Sequence, residues 1–486
     1  MSAKYLKYLF KKYIPVITLF LILSVALVAG YILLEKNTQP NPTYSYSYYN
    51  GETIYEASFT ICKLIGIAMC YAIPIPVLSF INNRRKIDTL LSLPVSRGGI
   101  LGASVLFSVV SAYAFFLFTS TAVYILIGKH YLTGGGFVKL LLCTFLAMTA
   151  LILFNSVIFL IGNNALDGII LLGAYTLLPL MLYLVTDALL TATLAGYAYG
   201  FLVFNMVFIC LSPAYSLINL TSAIYLSSDY QDAMFDSRAF LIYVVVLVLY
   251  VIVFGVLLYF SFVKRKAERA GQITNGFWGY KFIIPAYLFL CQIFAATCAV
   301  EECAILNILL LFVFVTAGFV YTRKIRLSFK PFIVFAVSLA LSIGIVALLF
   351  ATEFLGLARN IKISGDVVNY TLQGYVIGSD DNIEYSYIAK ESEMPAEQKE
   401  YIDKLINMSI DNFYAGEDDW TGCSVEIRYG RANGYWDGMT FTEDNRLQYK
   451  LPVSTVDDVA TLASHLPLEI YTYNNETEVV EYDLSE

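Results

Sequence analysis

Asn82-Asn83-Arg84-Arg85-Lys86-Ile87-Asp88-Thr89-Leu90-Leu91-Ser92-Leu93-Pro94-Val95-Ser96-Arg97 is a short polar interruption between two long apolar runs. Three cations open it, and Ile87, Leu90 and Leu91 follow at i, i+3 and i+4, one turn of an amphipathic helix. Pro94 ends that turn, because it has no amide hydrogen to donate and crowds the residue before it. A flexible connector has no need of an apolar face, so the stretch predicts a structured loop rather than a charged tether alone.

The runs on either side decide the fold class. The chain has 486 residues, of which 58% are hydrophobic and 14% charged, where soluble proteins carry about 25% charged residues. Leu, Ile, Val, Phe and Tyr recur in runs of about twenty, enough to cross ~30 Å of hydrocarbon as helix. The formal charge of −7 is segregated. Residues 1–354 carry 22 Lys+Arg against 13 Asp+Glu, and residues 355–486 carry 9 against 25. This predicts a polytopic membrane domain followed by an acidic tail long enough to bury its own core.

Nine spans are expected, at about 14–34, 58–80, 99–128, 138–162, 168–186, 239–263, 282–300, 303–321 and 331–350. The first is read as retained rather than cleaved, since it is longer than a signal h-region and no small-x-small site follows. Residues 35–57, with Tyr44, Tyr46, Tyr48 and Tyr49, are a polar loop, either a small hairpin or an aromatic fringe. Pro74 and Pro76 kink the second span. Residues 188–212 are apolar enough to cross, but a crossing would put the basic cluster 264–269 outside, against the positive-inside rule. They are therefore expected to be re-entrant or interfacial. With the N-terminus inside, 17 of the 22 cations in 1–354 fall on the cytosolic side, and the acidic tail falls outside it.

The tail reads as α+β. Strands are expected at 367–377, 383–388, 423–429, 435–441, 446–451 and 468–473, all rich in aromatic and β-branched residues. Helices are expected at 395–410, with Ile402, Leu405, Ile406 and Ile410 on one face, and at 454–464, which opens on a variant capping box.

Other residues carry bland readings. Lys63, near the outer end of span two, is a snorkelling lysine rather than a functional intramembrane charge. Glu301-Glu302 make a solvated turn. Glu417-Asp418-Asp419, beside Trp420, lacks the spacing of a calcium loop, and Trp436 and Asp437 belong to a core or a binding face. His130 and His465 have no partner at metal-ligand spacing, and His465 reads as a helix-end residue. Cys423 is alone in the tail and can form no internal disulfide there.

Read whole, Asp88-x-x-x-x-Leu93-Pro94-x-x-Arg97 after a basic run, between spans two and three, resembles the first cytosolic loop of ABC-2 type transporter permeases. Arg265-x-x-Glu268-x-x-Gly271 is similar to that family's exit from its six-span core. The resemblance covers about residues 1–272. Residues 273–354 (three further spans) and 355–486 (an extracytoplasmic domain) are similar to the long Gram-positive form. It implies an all-α membrane domain with a C-terminal α+β domain, in a bacterial plasma membrane. It also implies a permease subunit, an exporter, paired with a second permease subunit, identical or related.

The resemblance assigns Arg84, Arg85, Lys86, Ile87, Asp88, Leu90, Leu91, Leu93, Pro94 and Arg97 to coupling with a separate ATPase subunit. The chain has no Gly-x-x-x-x-Gly-Lys-Ser/Thr and no Leu-Ser-Gly-Gly-Gln; Gly134-Gly135-Gly136 does not continue into such a motif. ATP would be bound by the partner, and no cofactor, metal, nucleic acid or enzymatic activity is expected of this chain. Two other classes stay open: a membrane sensor or scaffold whose acidic domain binds an envelope ligand such as a cationic peptide, and a polytopic membrane enzyme.

Overall fold

The computed structural model describes residues 2–38, 47–92, 96–127, 134–197, 212–217, 237–265, 268, 270–272, 274, 276–298, 300–322, 329–359, 368–377, 381–390, 394–415, 424–429, 445–450, 456–474 and 479–482. Among them the chain is mostly helical. Eight helices are long and apolar enough to cross a membrane, so the chain is a multi-pass membrane protein. A further apolar helical stretch, Cys303–Thr316, falls short of that length among the described residues. The chain divides into two compact units, Met1–Leu180 with Val207–Pro285, and Met181–Met206 with Ala286–Glu486.

The first unit contains α1 (Ser2–Thr38), α2 (Ser47–Ala72), α3 (Pro74–Leu78), a 3-10 turn (Ser79–Asn82), α4 (Arg84–Leu91), α5 (Arg97–Leu126) and α6 (Gly134–Ile161). It also holds the start of α7 (Ala165–Thr193), α8 (Ser237–Val263) and a wide turn at Phe277–Lys281. α5 is central, packing against α1, α2, α6 and α8. Its inward side is built from small and aromatic residues, Ser104, Ser108, Ala112, Phe115, Phe116 and Ser120. Small residues let helices approach closely where lipid offers no hydrophobic drive to association.

The kink expected in span two is present: α2 stops at Ala72 and α3 starts at Pro74. Pro74 cannot donate to the carbonyl four residues back, that of Cys70. Asn155 of α6 supplies the missing donor, its Nδ2 lying 3.0 Å from the Cys70 oxygen. Pro76 leaves its own carbonyl to the Tyr13 hydroxyl at 3.2 Å and the Ser79 hydroxyl at 2.8 Å.

Several expectations are corrected. α2 begins at Ser47, so Tyr48 and Tyr49 are helical rather than in the loop; residues 39–46 lie outside the described residues. Lys63 is 7% exposed and is enclosed rather than snorkelling, because α2 is covered by α1, α5 and α6. Gly134–Gly136 open α6, ahead of the expected span start at about 138. α7 runs through Asp187 to Thr193, so residues 188–193 continue span five rather than begin a re-entrant segment. The chain can bury Asp187 there because the Tyr197 hydroxyl donates to its Oδ1 at 2.8 Å. The remainder of that segment, 198–211, is outside the described residues. Glu301 and Glu302 lie in the first turn of a helix that starts at Val300, not in a turn before it.

The second unit contains the end of α7, α9 (Phe282–Ala296), whose first residues belong to the other unit, α10 (Val300–Thr322), α11 (Phe329–Ala351) and the α+β domain. That domain is three antiparallel hairpins joined by two helices. The hairpins are β1 (Val368–Ile377) with β2 (Asp381–Lys390), β3 (Ser424–Tyr429) with β4 (Asn445–Lys450), and β5 (Glu469–Asn474) with β6 (Val479–Tyr482). α12 (Ala396–Ala415) and α13 (Val456–His465) link them. The sheet order is β4-β3-β1-β2-β5-β6, with Leu372 opposite Tyr387 and Val425 in register.

Alternation puts Tyr370, Leu372, Tyr385 and Tyr387 on one face. They are buried with Ile402, Leu405 and Ile410 of α12 and Val459 and Leu462 of α13. Five of the six expected strands and both helices are present; the expected strand at 435–441 and the residues Glu417–Trp420, Trp436 and Asp437 lie outside the described residues. β6 was not expected.

Between α11 and the domain the backbone turns left-handed at Glu353, Phe354 and Leu355, with φ of 49°, 54° and 58°, before Gly356 at 74°. Left-handed backbone costs an L-residue about 1–2 kcal/mol. The Arg359 guanidinium closes this neck, reaching Glu353 through two bonds of 2.6 and 2.9 Å and Asp411 of α12 at 2.6 Å.

Candidate functional site

The expected coupling loop begins as the 3-10 turn at Ser79–Asn82 ends. Asn83 leaves helical geometry, and its side-chain oxygen accepts the Lys86 amide at 3.3 Å. This caps α4, since an asparagine at that position satisfies an otherwise orphaned amide. Eight residues of helix follow. Ser96 caps the next helix by accepting from the Gly99 amide at 3.2 Å. Leu90 and Leu91 are in α4, but their side chains, and all of Leu93 and Pro94, are outside the described residues.

Arg84, Arg85, Lys86 and Asp88 are exposed, as is Arg97. Ile87 is not: it is 4% exposed and faces a small depression with Ile81, Phe262, Arg97 and Arg265. Of the residues that the resemblance assigns to coupling, Ile87 is therefore turned toward its own unit. Ile87 seats α4 on its own unit, because an eight-residue helix is too short to hold its place unpacked.

Arg265 is the centre of this region. Its side chain is buried, and its guanidinium donates to the Asn82 side-chain oxygen at 3.1 Å, the Gly162 carbonyl at 2.9 Å and the Leu160 carbonyl. The planar fork of an arginine suits several fixed acceptors at once. Arg97 adds a second tie, with Nη1 3.0 Å from the Val263 carbonyl and 3.4 Å from that of Arg265. Thus the turn before α4, the α6–α7 turn, the start of α5 and the end of α8 meet around two arginines.

A second set of bonds lies beside it. Gly271, at φ +78°, donates its amide to the Asn163 carbonyl at 2.8 Å. Thr274 donates its hydroxyl to Asp167 Oδ2 at 2.9 Å and accepts the Asn163 amide at 3.1 Å. The Tyr280 hydroxyl donates to Asp167 Oδ1 at 3.0 Å. Gly162 and Gly168 allow the α6–α7 turn to be this tight, since a Cβ on Gly162 would lie 2.5 Å from Gly168 backbone.

The two motifs singled out from the sequence therefore meet at Arg97 and Arg265, with Gly271 next to them, while Glu268 is exposed. Sequence reasoning missed Asp167, Thr274, Tyr280 and Gly162; an aspartate at the mouth of an apolar run was their only signal. His465 ends α13, its ring tilted against that of Tyr401 with centroids 4.3 Å apart.

Chemically this site is a rigid junction of donors and acceptors. It can pass a displacement of α4 to α3, α5, α6, α7 and α8, and it leaves the basic first turn of α4 exposed. No family model, no curated protein and no solved structure matches the chain.

Proposed function

We propose that the chain is the membrane-spanning subunit of an ATP-driven transporter of the ABC-2 type, with α4 as the helix on which a separate ATPase subunit acts. The observation that carries this reading is the Arg265 junction. A short capped helix with an exposed basic turn stands on a node bonded to three other chain segments, so a push on it is distributed through the unit rather than absorbed by a loose loop. Arg84, Arg85 and Lys86 contact an acidic surface of the ATPase, Leu90 and Leu91 enter its groove, and Ile87 anchors the helix. The N-terminus and α4 are cytosolic, the α+β domain is extracytoplasmic, and two permease subunits pair in a bacterial plasma membrane to export substrate.

The first test is whether an adjacent gene encodes a stand-alone ABC ATPase; the second is co-purification of such an ATPase with this chain, and ATP hydrolysis by the complex in proteoliposomes. Leu90→Asp is expected to leave the protein in the membrane and abolish coupled hydrolysis. Unchanged ATPase recovery and hydrolysis in that variant would sink the reading. Retention of a cationic peptide by the acidic domain, with no ATPase bound, would favour a sensor instead.

A further inference from the structure

Tyr414, in the last turn of α12, touches two membrane helices of its unit at once. Its hydroxyl donates to the Thr193 carbonyl at the C-terminal end of α7, 2.9 Å away. Its ring meets that of Phe350, at the C-terminal end of α11, edge-on with centroids 5.3 Å apart. Phe413 lies against both, at 6.0 Å from Phe350 and 5.1 Å from Tyr414. Around Tyr414, Leu190 and Leu194 of the α7 end pack with Ala358 and Phe354 of the neck. The turn after α7 goes deeper: Ala195 is 1% exposed inside the core of the α+β domain. Gly196, at φ +79°, lies so close to the Tyr449 ring that a Cβ there would be 2.4 Å from it.

We propose that the α+β domain works as a clasp on two membrane helices, with the last turn of α12 setting the spacing between the C-terminal ends of α7 and α11. Three features suit a clasp better than a passive tether. A tether needs one covalent link, whereas this domain has that link plus a second, non-covalent hold on α7. The hold is made by the Tyr414 hydroxyl, by Ala195 seated in the domain core and by the close approach of Gly196 to the Tyr449 ring. The neck is left-handed over Glu353–Gly356 and is pinned from α12 by Asp411 through Arg359. Strained backbone of this kind persists only while its surroundings hold it, so opening the clasp and relaxing the neck belong together. Any ligand that the domain binds differently in its open and closed states changes the helix spacing, and by linkage the spacing changes that ligand's affinity. This inference does not depend on the transporter reading.

The experiment uses the full chain in lipid nanodiscs, with native cysteines replaced and spin labels at positions 191 and 351. The expected result is one narrow distance distribution for the parent. Tyr414→Ala is expected to broaden it or shift it by several ångströms, as is Gly196→Val, which drives a side chain into Tyr449 from the α7 side. A Tyr414→Ala distribution that superimposes on the parent's overturns the clasp. Should that variant fail to fold, Tyr414→Phe is read by hydrogen exchange at the Leu194 and Tyr197 amides. A tenfold or greater acceleration supports the clasp, and an unchanged rate overturns it.

Discussion

Asn155 donates its side-chain amide to the carbonyl of Cys70, 85 positions earlier, at 3.0 Å. The acceptor is available because Pro74 brings no amide to it. A proline kink in one span and an asparagine in another are thus two halves of one bond, and a backbone carbonyl has no water to turn to in hydrocarbon. Asn155→Leu is expected to destabilise the chain by about 1–3 kcal/mol, the cost of leaving a buried acceptor unmet. Pro74→Ala restores an amide to that carbonyl, so in the Pro74→Ala background the same substitution is expected to cost markedly less. Reversible unfolding in mixed micelles measures the cycle, and equal costs in both backgrounds would refute the pairing.

Arg265→Lys is expected to destabilise the junction beneath α4 by about 1–3 kcal/mol. An ammonium cannot reach Asn82, Leu160 and Gly162 together as the planar fork does. The same variant is expected to speed hydrogen exchange across α4 and the α6–α7 turn while leaving β1 and β2 unchanged. Equal acceleration in the sheet would show a general loss of stability instead.

Gly271 and Gly102 form a matched pair. A Cβ would meet nothing within 4 Å at either, yet Gly271 sits at φ +78° and Gly102 is inside helix α5. Gly271→Ala is expected to cost about 1 kcal/mol from backbone strain alone, whereas Gly102→Ala is expected to gain up to about 1 kcal/mol. Thermal unfolding of the two variants side by side tests this, and a shared sign would refute it.

The neck is expected to be sensitive to acid. The Arg359 guanidinium beside Glu353 holds that carboxyl below its usual value. A lowered folded-state value means that the stabilisation is present above the unfolded carboxylate value, about 4.3, and is lost as pH falls through the folded one. Wild type is therefore expected to melt above Arg359→Gln at neutral pH, and the gap is expected to narrow progressively as pH falls below about 4.3. A gap that does not narrow on acidification would place the Arg359 contribution elsewhere.

Burial pushes the Tyr449 phenol up to about 12, with Tyr414 adding to it. The raised value means that its contribution is whole below the ordinary phenol value, about 10, and is lost as pH rises through about 12. Absorbance at tyrosinate wavelengths is expected to show a late-titrating group in wild type that is missing in Tyr449→Phe.

The sequence was most legible where one local pattern sufficed. Cations, an apolar turn and Pro94 announce α4 locally, although its seat at Ile87 comes from the rest of the chain. Alternating aromatic and β-branched residues likewise specify β1, β2 and β5. It was less legible where the deciding partner is distant. Ile87 announces an apolar face but not which surface covers it. Asp187 reads as a helix boundary until Tyr197 supplies its donor. Arg265 reads as one of a basic cluster, although its role comes from Asn82 and the α6–α7 turn. Val479-Val480-Glu481-Tyr482 is too short and acidic to stand out as a strand, and needs β5 beside it.

The hold of Tyr414 on Thr193 joins residues 221 positions apart, and Ala195 completes a core whose other members begin at Tyr370. During synthesis the turn after α7 is therefore made long before its receiving surface. Helices α8 to α11 must be laid down while it waits. Closing so long a loop is slow, and here it seats an early-made segment in a domain made last. A ribosome stalled before β4 would leave every membrane helix made and that seat empty.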